Sequence, residues 1–182
     1  MEEMREKTIS SEEKYSGNII RVKVDRVELP GGKESKREVV EHPGAVGIVA
    51  EHKGKIVLVK QYRYPTGEAI WEIPAGKLEE GEPPEECARR ELTEETGYSP
   101  AEIRYLNHFF SSPGFSDEVI YLYYASGLVE QGSSAGKGDG EENIEMMLLD
   151  WKEARDLVLH DKINDAKTVI GVLTLAHLYD VT

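Results

Sequence analysis

The chain has 182 residues, of which 39% are hydrophobic and 31% charged, enough for one main globular domain with a sizeable core. Its formal net charge of −13 argues against a nucleic-acid backbone as a partner, because such surfaces need clustered Lys and Arg. No apolar run approaches the ~20 residues that span a bilayer, and the charged N-terminus lacks a signal-peptide core. We therefore expect a cytoplasmic protein without membrane contact.

Two parts of the chain differ in composition, and the boundary falls near residue 43. Residues 1–43 are highly charged and predict a small β-ribbon, whereas residues 44–182 carry the apolar periodicity of a main domain. The first ~15 residues are polar and predict a loose arm. Because the ribbon contains so few apolar side chains, it must pack on another surface to be stable.

The ribbon is predicted to contain two strands. Apolar residues alternate over residues 18–29 and change phase near Asp25 and Arg26, which indicates a strand with a bulge at that point. Residues 30–32, Pro-Gly-Gly, form a turn, and residues 34–41 return as a second, charged strand.

The rest of the chain alternates between apolar strands and amphipathic helices, which predicts an α/β fold. Strands are predicted at residues 44–50, 55–61, 69–73, 103–110, 118–125 and 144–149, and helices at residues 83–96, from Asp150, and from Asn164 or Asp165 to about residue 179. The polar, glycine-rich segment 129–142 predicts a surface loop that could close over a ligand.

One stretch, residues 76–98, concentrates acidic side chains around a short helix. Two prolines, the second of them Pro84, suit the first helical turn, and Gly97 suits the left-handed position just after the last turn. These signals place the helix at about residues 83–96. The chain has a single cysteine, Cys87, so an internal disulfide is excluded. Its place inside the helix indicates a role in packing rather than in chemistry.

Three glutamates share one face of this helix. At about 100° per residue, Glu91, Glu94 and Glu95 project in similar directions and repel one another. A hard cation such as Mg²⁺ takes oxygen ligands and often bridges phosphates, so a divalent metal would turn the repulsion into binding energy. Arg90, four residues before Glu94, can neutralise part of the cluster. Because glutamates at helical spacing also form solvated surfaces, an ordinary exposed helix face is the alternative.

The spacing of this stretch is specific. Gly76, five residues, Glu82, seven residues and then RELTEETGY at residues 90–98 match all nine fixed positions of the Nudix box. The chain therefore resembles a Nudix hydrolase, a family that cleaves nucleoside diphosphates linked to another moiety. The resemblance implies an α/β/α sandwich with a mixed central sheet. In the sub-group of Nudix hydrolases that this chain resembles, an N-terminal sheet of this kind helps to form a homodimer and reaches toward the partner's active site.

Other stretches resemble the ADP-ribose pyrophosphatase branch of that family. They are HPGAV at residues 42–46, QYRYP at residues 61–65, EIPAG at residues 72–76 and a proline, Pro113, after the box. This likeness implies hydrolysis of ADP-ribose to AMP and ribose 5-phosphate. The alternatives are a Nudix pyrophosphatase for nucleotide sugars or other nucleoside diphosphate derivatives, and a non-catalytic nucleotide-binding sensor. Loss of an acidic box residue would have favoured the sensor, and none is lost.

Position by position, the resemblance implies a cofactor site and a substrate site. Mg²⁺, with Mn²⁺ as a possible substitute, would be held by four groups: Glu91, Glu95, Glu94 and the Ala75 carbonyl. The substrate would be contacted by five residues: Arg63, Glu72, Gly114, Phe115 and Glu118. For Arg63 an ordinary surface position, and for Glu72 and Glu118 a salt bridge at a strand end, are the alternatives.

A general base is also needed, because glutamates that bind metal lack a free lone pair near the attacking water. The acidic residues before the strand at 144–149 suit this role, and the register favours Glu142 over Glu141. Gly140 stands where several similar enzymes carry an acid, so Glu141 remains a competitor. Glu94 is the catalytic candidate within the box, and a solvated loop is the alternative for the other two.

Overall fold

The computed structural model describes residues 4–131 and 144–180, and the chain divides into two compact units. The first contains the chain up to Gly44 together with Phe110–Val119. The second contains Ala45–Phe109 and the chain from Ile120 onward. No helix in the described parts is both long enough and apolar enough to cross a bilayer.

The first unit contains an antiparallel sheet of three strands in the order β1-β2-β3. Its strands are β1 (Lys7–Ser16), β2 (Arg21–Glu28) and β3 (Glu34–Glu41). The predicted loose arm is wrong, because residues 7–16 pair with β2 along its whole length. Every side chain of β1 is exposed. The strand is therefore held by backbone hydrogen bonds, which a reading of apolar periodicity does not detect.

The predicted bulge near Asp25 and Arg26 is also wrong. β2 pairs with β3 without a break, and the register shifts lie in the edge strand β1, between Thr8 and Ser10 and between Glu13 and Tyr15. The change of phase in β2 has another cause: the polar side chain of Asp25 is buried, as is Val27 two residues later.

The second unit is built on a mixed sheet. Its central order is β12-β5-β4-β10-β9, with β6 beside β5 and β7 beside β4. The strands are β4 (Ala45–His52), β5 (Lys55–Arg63), β6 (Glu68–Glu72), β7 (Ala75–Lys77), β9 (Glu102–Phe110), β10 (Val119–Ser126) and β12 (Glu145–Asp150); β8 (Tyr98–Ser99) and β11 (Val129–Glu130) form a separate short ribbon. β4 runs parallel to β10 and antiparallel to β5. The sequence-predicted strands of this unit are confirmed to within two residues at each end.

Within residues 4–131 and 144–180, three helices cover the two faces of this sheet. They are α1 (Pro84–Thr96), α2 (Trp151–Leu159) and α3 (Ala166–Asp180). Val46 and Ile48 of β4 belong to the core cluster of α1, whereas Val49 belongs to the cluster of α2 and α3. Because successive strand residues point to opposite faces, one strand supplies both cores. The predicted α/β/α sandwich is confirmed.

The predicted helix boundaries follow from local signals that the structure confirms. α1 has Pro83 at its N-cap, and Gly97 ends it at φ 76°, donating its N–H to the Thr93 carbonyl. Asp150 caps α2 by accepting the Lys152 N–H at 2.8 Å. These caps are encoded within a few residues, so they are readable without the tertiary fold.

Candidate active site

A short segment, residues 74–76, leads from β6 into the box and is held by contacts with β4. Ile73, just before it, is fully buried. The Ile48 N–H donates to the Pro74 carbonyl at 2.8 Å, and Ala75 and Gly76 then pair with β4 as the first residues of β7. The loop backbone is therefore part of the sheet rather than a free connection.

Two glutamates of α1 meet this backbone segment. Ala75 donates its N–H to Oε2 of Glu95 at 3.1 Å, and Glu95 is only 8% exposed. Glu91 packs directly over Gly76: a Cβ at position 76 would lie 1.8 Å from the Glu91 Cδ. A glycine is therefore required there by the close approach of the carboxylate rather than by an unusual φ. The structure thus places two of the predicted metal ligands, Glu91 and Glu95, against the backbone of residues 75 and 76.

Arg90 lies among three carboxylates of the box. Its guanidinium donates to both oxygens of Glu82, at 2.9 and 3.0 Å, and to Glu91 and Glu94 at 2.8 and 3.1 Å. The hydrogen bond from Arg90 lowers the pKa of Glu82 to about 2. Burial raises the pKa of Glu91, although Arg90 opposes this. The sequence predicted that Arg90 neutralises part of the cluster, and these contacts confirm it.

The donor set fits a hard divalent cation. Glu91 and Glu95 place two carboxylates against the backbone of Ala75 and Gly76, and oxygen ligands of this kind suit Mg²⁺ and Mn²⁺. As the side chains stand, no three acidic, histidine or cysteine groups within residues 4–131 and 144–180 already surround a common point. In this arrangement the Arg90 guanidinium supplies the positive charge for the cluster.

Cys87, on the same helix, is fully buried. Its Sγ lies 3.4 Å from Nη2 of Arg90 and 3.5 Å from the Lys77 carbonyl. Burial raises the pKa of its thiol to about 12, so the reactive thiolate is scarcely populated at neutral pH. The packing role predicted for it agrees with these surroundings.

Arg63 and Glu72 form a bidentate ion pair. Arg63 Nε and Nη2 donate to the two Glu72 oxygens at 2.7 and 2.8 Å, and Lys167 of α3 pairs with the same carboxylate. The Glu72 side chain is 2% exposed, compared with 38% for Arg63. Burial acts to raise the pKa of Glu72, but the bonds from Arg63 and the charge of Lys167 together lower it. The salt bridge considered as an alternative for Glu72 is therefore present, and Lys167 is a partner that sequence reasoning missed.

Glu72→Gln is expected to destabilise the protein by about 3 kcal/mol at pH 7, because it removes the buried anion that Arg63 and Lys167 share. A lowered folded-state pKa contributes stability that is present above the unfolded value, near 4.5, and is lost as pH falls through the folded value. The difference between wild type and variant in urea unfolding should therefore narrow below pH 4.5. Glu68→Gln, an exposed acid on the same strand, is the control. An equal difference at pH 7 and pH 3 would contradict the assignment.

The other predicted substrate residues belong to the first unit. The Phe115 side chain is 56% exposed, and its carbonyl accepts the Val40 N–H at 2.8 Å. Nothing lies within 4 Å of a Cβ built on Gly114. Glu118 Oε1 lies 3.5 Å from Nδ1 of His42, the strand-end pair considered as its alternative. Asp117, which the sequence did not single out, accepts the His42 N–H at 2.8 Å.

The two candidates for the general base, Glu141 and Glu142, lie outside the described residues. So does most of the predicted loop at residues 129–142, of which only the part up to residue 131 is described. Both remain sequence predictions.

Comparison with protein-family models agrees with this fold. The NUDIX domain model matches residues 40–170, and the model of the nucleoside diphosphate sugar hydrolase N-terminal domain matches residues 6–40. The chain belongs to the Nudix family and is a Nudix diphosphatase, an enzyme class that generally uses a divalent metal ion. The resemblance inferred from the box is confirmed.

Individual relatives extend the similarity over nearly the whole chain. The methanol dehydrogenase activator of Bacillus methanolicus is 49% identical over 168 residues, which cover 92% of this chain and 90% of that protein. The ADP-ribose pyrophosphatase of Bacillus subtilis (strain 168) is 45% identical over 175 residues, covering 94% and 93%. The crystal structure of an ADP compounds hydrolase shares the fold with a TM-score of 0.85 at 20% identity, covering 97% and 95%.

Proposed function

We propose that this chain hydrolyses the diphosphate bond of ADP-ribose, giving AMP and ribose 5-phosphate. The observation that carries the proposal is the meeting of Glu91 and Glu95 with the backbone of Ala75 and Gly76. The choice of ADP-ribose as the substrate is supported by the 45% identity to an ADP-ribose pyrophosphatase over most of both chains. Nucleotide sugars and other nucleoside diphosphate derivatives are the alternative substrates, because loops rather than the box select the substrate.

We assign the cofactor as Mg²⁺, with Mn²⁺ as a substitute, held by Glu91, Glu95, the Ala75 carbonyl and Glu94 as a further ligand or support. Such a cation, when bound, stabilises charge on the diphosphate and lowers the pKa of water. Arg90 would keep Glu82 and Glu94 ordered at the rim of the cluster through its hydrogen bonds. The fixed contact between Ala75 and Glu95 would pre-organise the backbone next to the cation.

We assign substrate binding to Arg63, Gly114, Phe115 and Glu118, and an orienting role to Glu72. Glu72 holds the Arg63 guanidinium by two hydrogen bonds, so the cation is presented in one direction. A fixed guanidinium is well suited to a phosphate group. The exposed ring of Phe115 offers a surface on which a planar base can stack.

A substrate panel tests this function. ADP-ribose, a GDP-sugar, an ADP-sugar and a dinucleoside diphosphate would each be incubated with Mg²⁺ and with Mn²⁺, and products would be separated by phosphate-product chromatography. We expect ADP-ribose to have the highest kcat/KM and to release AMP and ribose 5-phosphate in equal amounts. If another compound in the panel has the highest kcat/KM, the chain is still a diphosphatase, but ADP-ribose is not its preferred substrate.

Activation of a methanol dehydrogenase is a second candidate function, favoured by the 49% identity to an activator of that enzyme. It is compatible with hydrolysis, so both can be measured on one sample. Addition of the chain to a methanol dehydrogenase should raise its turnover if this function holds. Glu95→Gln as a parallel addition would show whether the activation requires hydrolysis.

Glu142→Gln is expected to lower kcat and to remove the acidic limb of the pH–rate profile while KM changes little. The reason is that a general base acts only as the transition state forms. The measurement is a kcat profile from pH 5 to 9 at saturating Mg²⁺. If Glu141→Gln loses the acidic limb instead, Glu141 is the general base. If both variants keep the acidic limb, the general base is another residue.

We propose a homodimer formed through residues 1–43. The edge strand β1 exposes every side chain, Tyr15 among them at 57%, and so has surface available for pairing. Static light scattering of the chain, whose mass is 20.4 kDa, should then give about twice that value. A chain lacking residues 1–16 should shift toward the monomer. A fully active wild-type monomer at assay concentration would rule out a site shared between subunits.

A further inference from the structure

The start of α3 is connected to the strand that leads into the active-site loop. Thr168, which is fully buried, accepts the Ile73 N–H on Oγ1 at 2.8 Å. The same hydroxyl donates to Oδ2 of Asp165 at 2.6 Å, and that oxygen also accepts the Thr168 N–H at 3.0 Å. One hydroxyl therefore joins the first turn of a helix to a backbone group 95 residues earlier in the chain.

A second connection joins the same two elements. Lys167 pairs with Glu72, the residue just before Ile73, and its Nζ lies 3.0 Å from Oδ1 of Asp165. Asp165 thus holds both Thr168 and Lys167, one through each carboxylate oxygen. Lys167 and Asp165 are largely buried, with side-chain exposures of 12% and 17%, so water competes weakly for these groups.

These contacts lie next to the backbone of residues 74–76, which contains the carbonyl that we assign to the cation. Ile73 is followed by Pro74 and then by Ala75, whose N–H binds Glu95 and whose carbonyl we assign to the cation. On its other side the segment is held by β4, through the Ile48 N–H on the Pro74 carbonyl. The loop is therefore fixed by β4 from one direction and by α3 from the other.

We propose that Thr168 and Asp165 are positioning residues for the metal site, acting through Ile73 on the backbone of Ala75. This inference rests on the proposed function for its catalytic consequence, but the positioning itself can be measured without turnover. Residues that orient metal ligands typically change metal affinity or activity by about 10- to 100-fold when they are replaced. Thr168→Val should fall at the lower end of that range, because β4 still holds the loop.

The chain offers a matched pair of variants. Thr168→Val keeps the shape and removes the hydroxyl, which leaves the Ile73 N–H without its acceptor. Thr168→Ser keeps the hydroxyl and loses only a methyl group. A role in packing would affect the serine variant, whereas a role through the hydrogen bond would affect only the valine variant.

The experiment measures Mn²⁺ affinity of the full-length chain, from the free Mn²⁺ signal in electron paramagnetic resonance, together with amide hydrogen exchange over residues 69–80. We expect Thr168→Val to raise the Kd for Mn²⁺ by about tenfold and to speed exchange of the Ile73 and Ala75 amides. Thr168→Ser should remain within about twofold of wild type in affinity. Excess Mn²⁺ should restore most of the hydrolysis rate of the valine variant.

Two outcomes separate this inference from the proposed function. If Thr168→Val lowers only the Tm and matches Thr168→Ser in Mn²⁺ affinity and loop exchange, the positioning role is overturned, whatever the substrate is. If the wild type does not hydrolyse ADP-ribose but the two variants differ as expected, the positioning role stands and the proposed substrate fails. A wild type that binds no Mn²⁺ would overturn the metal assignment, and the exchange rates would still decide the positioning.

Discussion

Replacing Glu91 or Glu95 by glutamine is expected to lower kcat by at least ~10²-fold while the chain remains folded. Each change removes one negative charge from the site and keeps the shape of the side chain. In Glu95→Gln the amide oxygen can still accept the Ala75 N–H, so the loop contact seen at 3.1 Å is preserved. The loss therefore reports on charge at the proposed metal site rather than on the position of the loop.

The measurement is kcat for ADP-ribose at saturating Mg²⁺, with the Tm of each variant recorded in parallel. Glu86→Gln is the matched control, because it makes the same change of charge at an exposed position of α1. Cys87→Ser is a second control and should keep near-normal turnover apart from a loss of packing. Near-normal turnover in both Glu91→Gln and Glu95→Gln would overturn the site assignment.

Gly76→Ala is expected to reduce kcat by about 10²-fold with little change in stability, since a displacement of about 1 Å at a reacting centre can cost that much. The added Cβ would lie 1.8 Å from the Glu91 Cδ and 2.0 Å from its Oε1, so the carboxylate must move. The obstruction is the end of a flexible side chain rather than backbone. The fold can therefore accommodate the methyl group, whereas the geometry of the site cannot.

A double variant tests whether Glu91 is the cause. If Gly76→Ala acts by displacing that carboxylate, adding Glu91→Gln should cost little more than Glu91→Gln alone. If the loss of kcat in the double variant equals the product of the two single losses, the methyl group acts on a group other than the Glu91 carboxylate. A drop in Tm comparable to a core substitution would show that the backbone of β7 has moved instead.

The sequence alone determined those features that depend on neighbours within about one helical turn. The two prolines and Gly97 defined α1, and the spacing of Glu91, Glu94 and Glu95 defined its acidic face. The nine fixed positions of the box identified the family, which the family model then confirmed. Local backbone preference and helical periodicity suffice for such features, because neither requires knowledge of distant contacts.

Only the tertiary structure decided which partner each polar group takes. The strand β1 has no buried side chain, so nothing in its periodicity distinguished it from a loose arm. The partners of Glu72 include Lys167, and the acceptor of the Ile73 N–H is Thr168, each 95 residues away. Burial and pairing of this kind depend on how the sheet and α3 pack against each other. A polar group that is removed from water must form a hydrogen bond or ion pair with a partner that this packing brings near it.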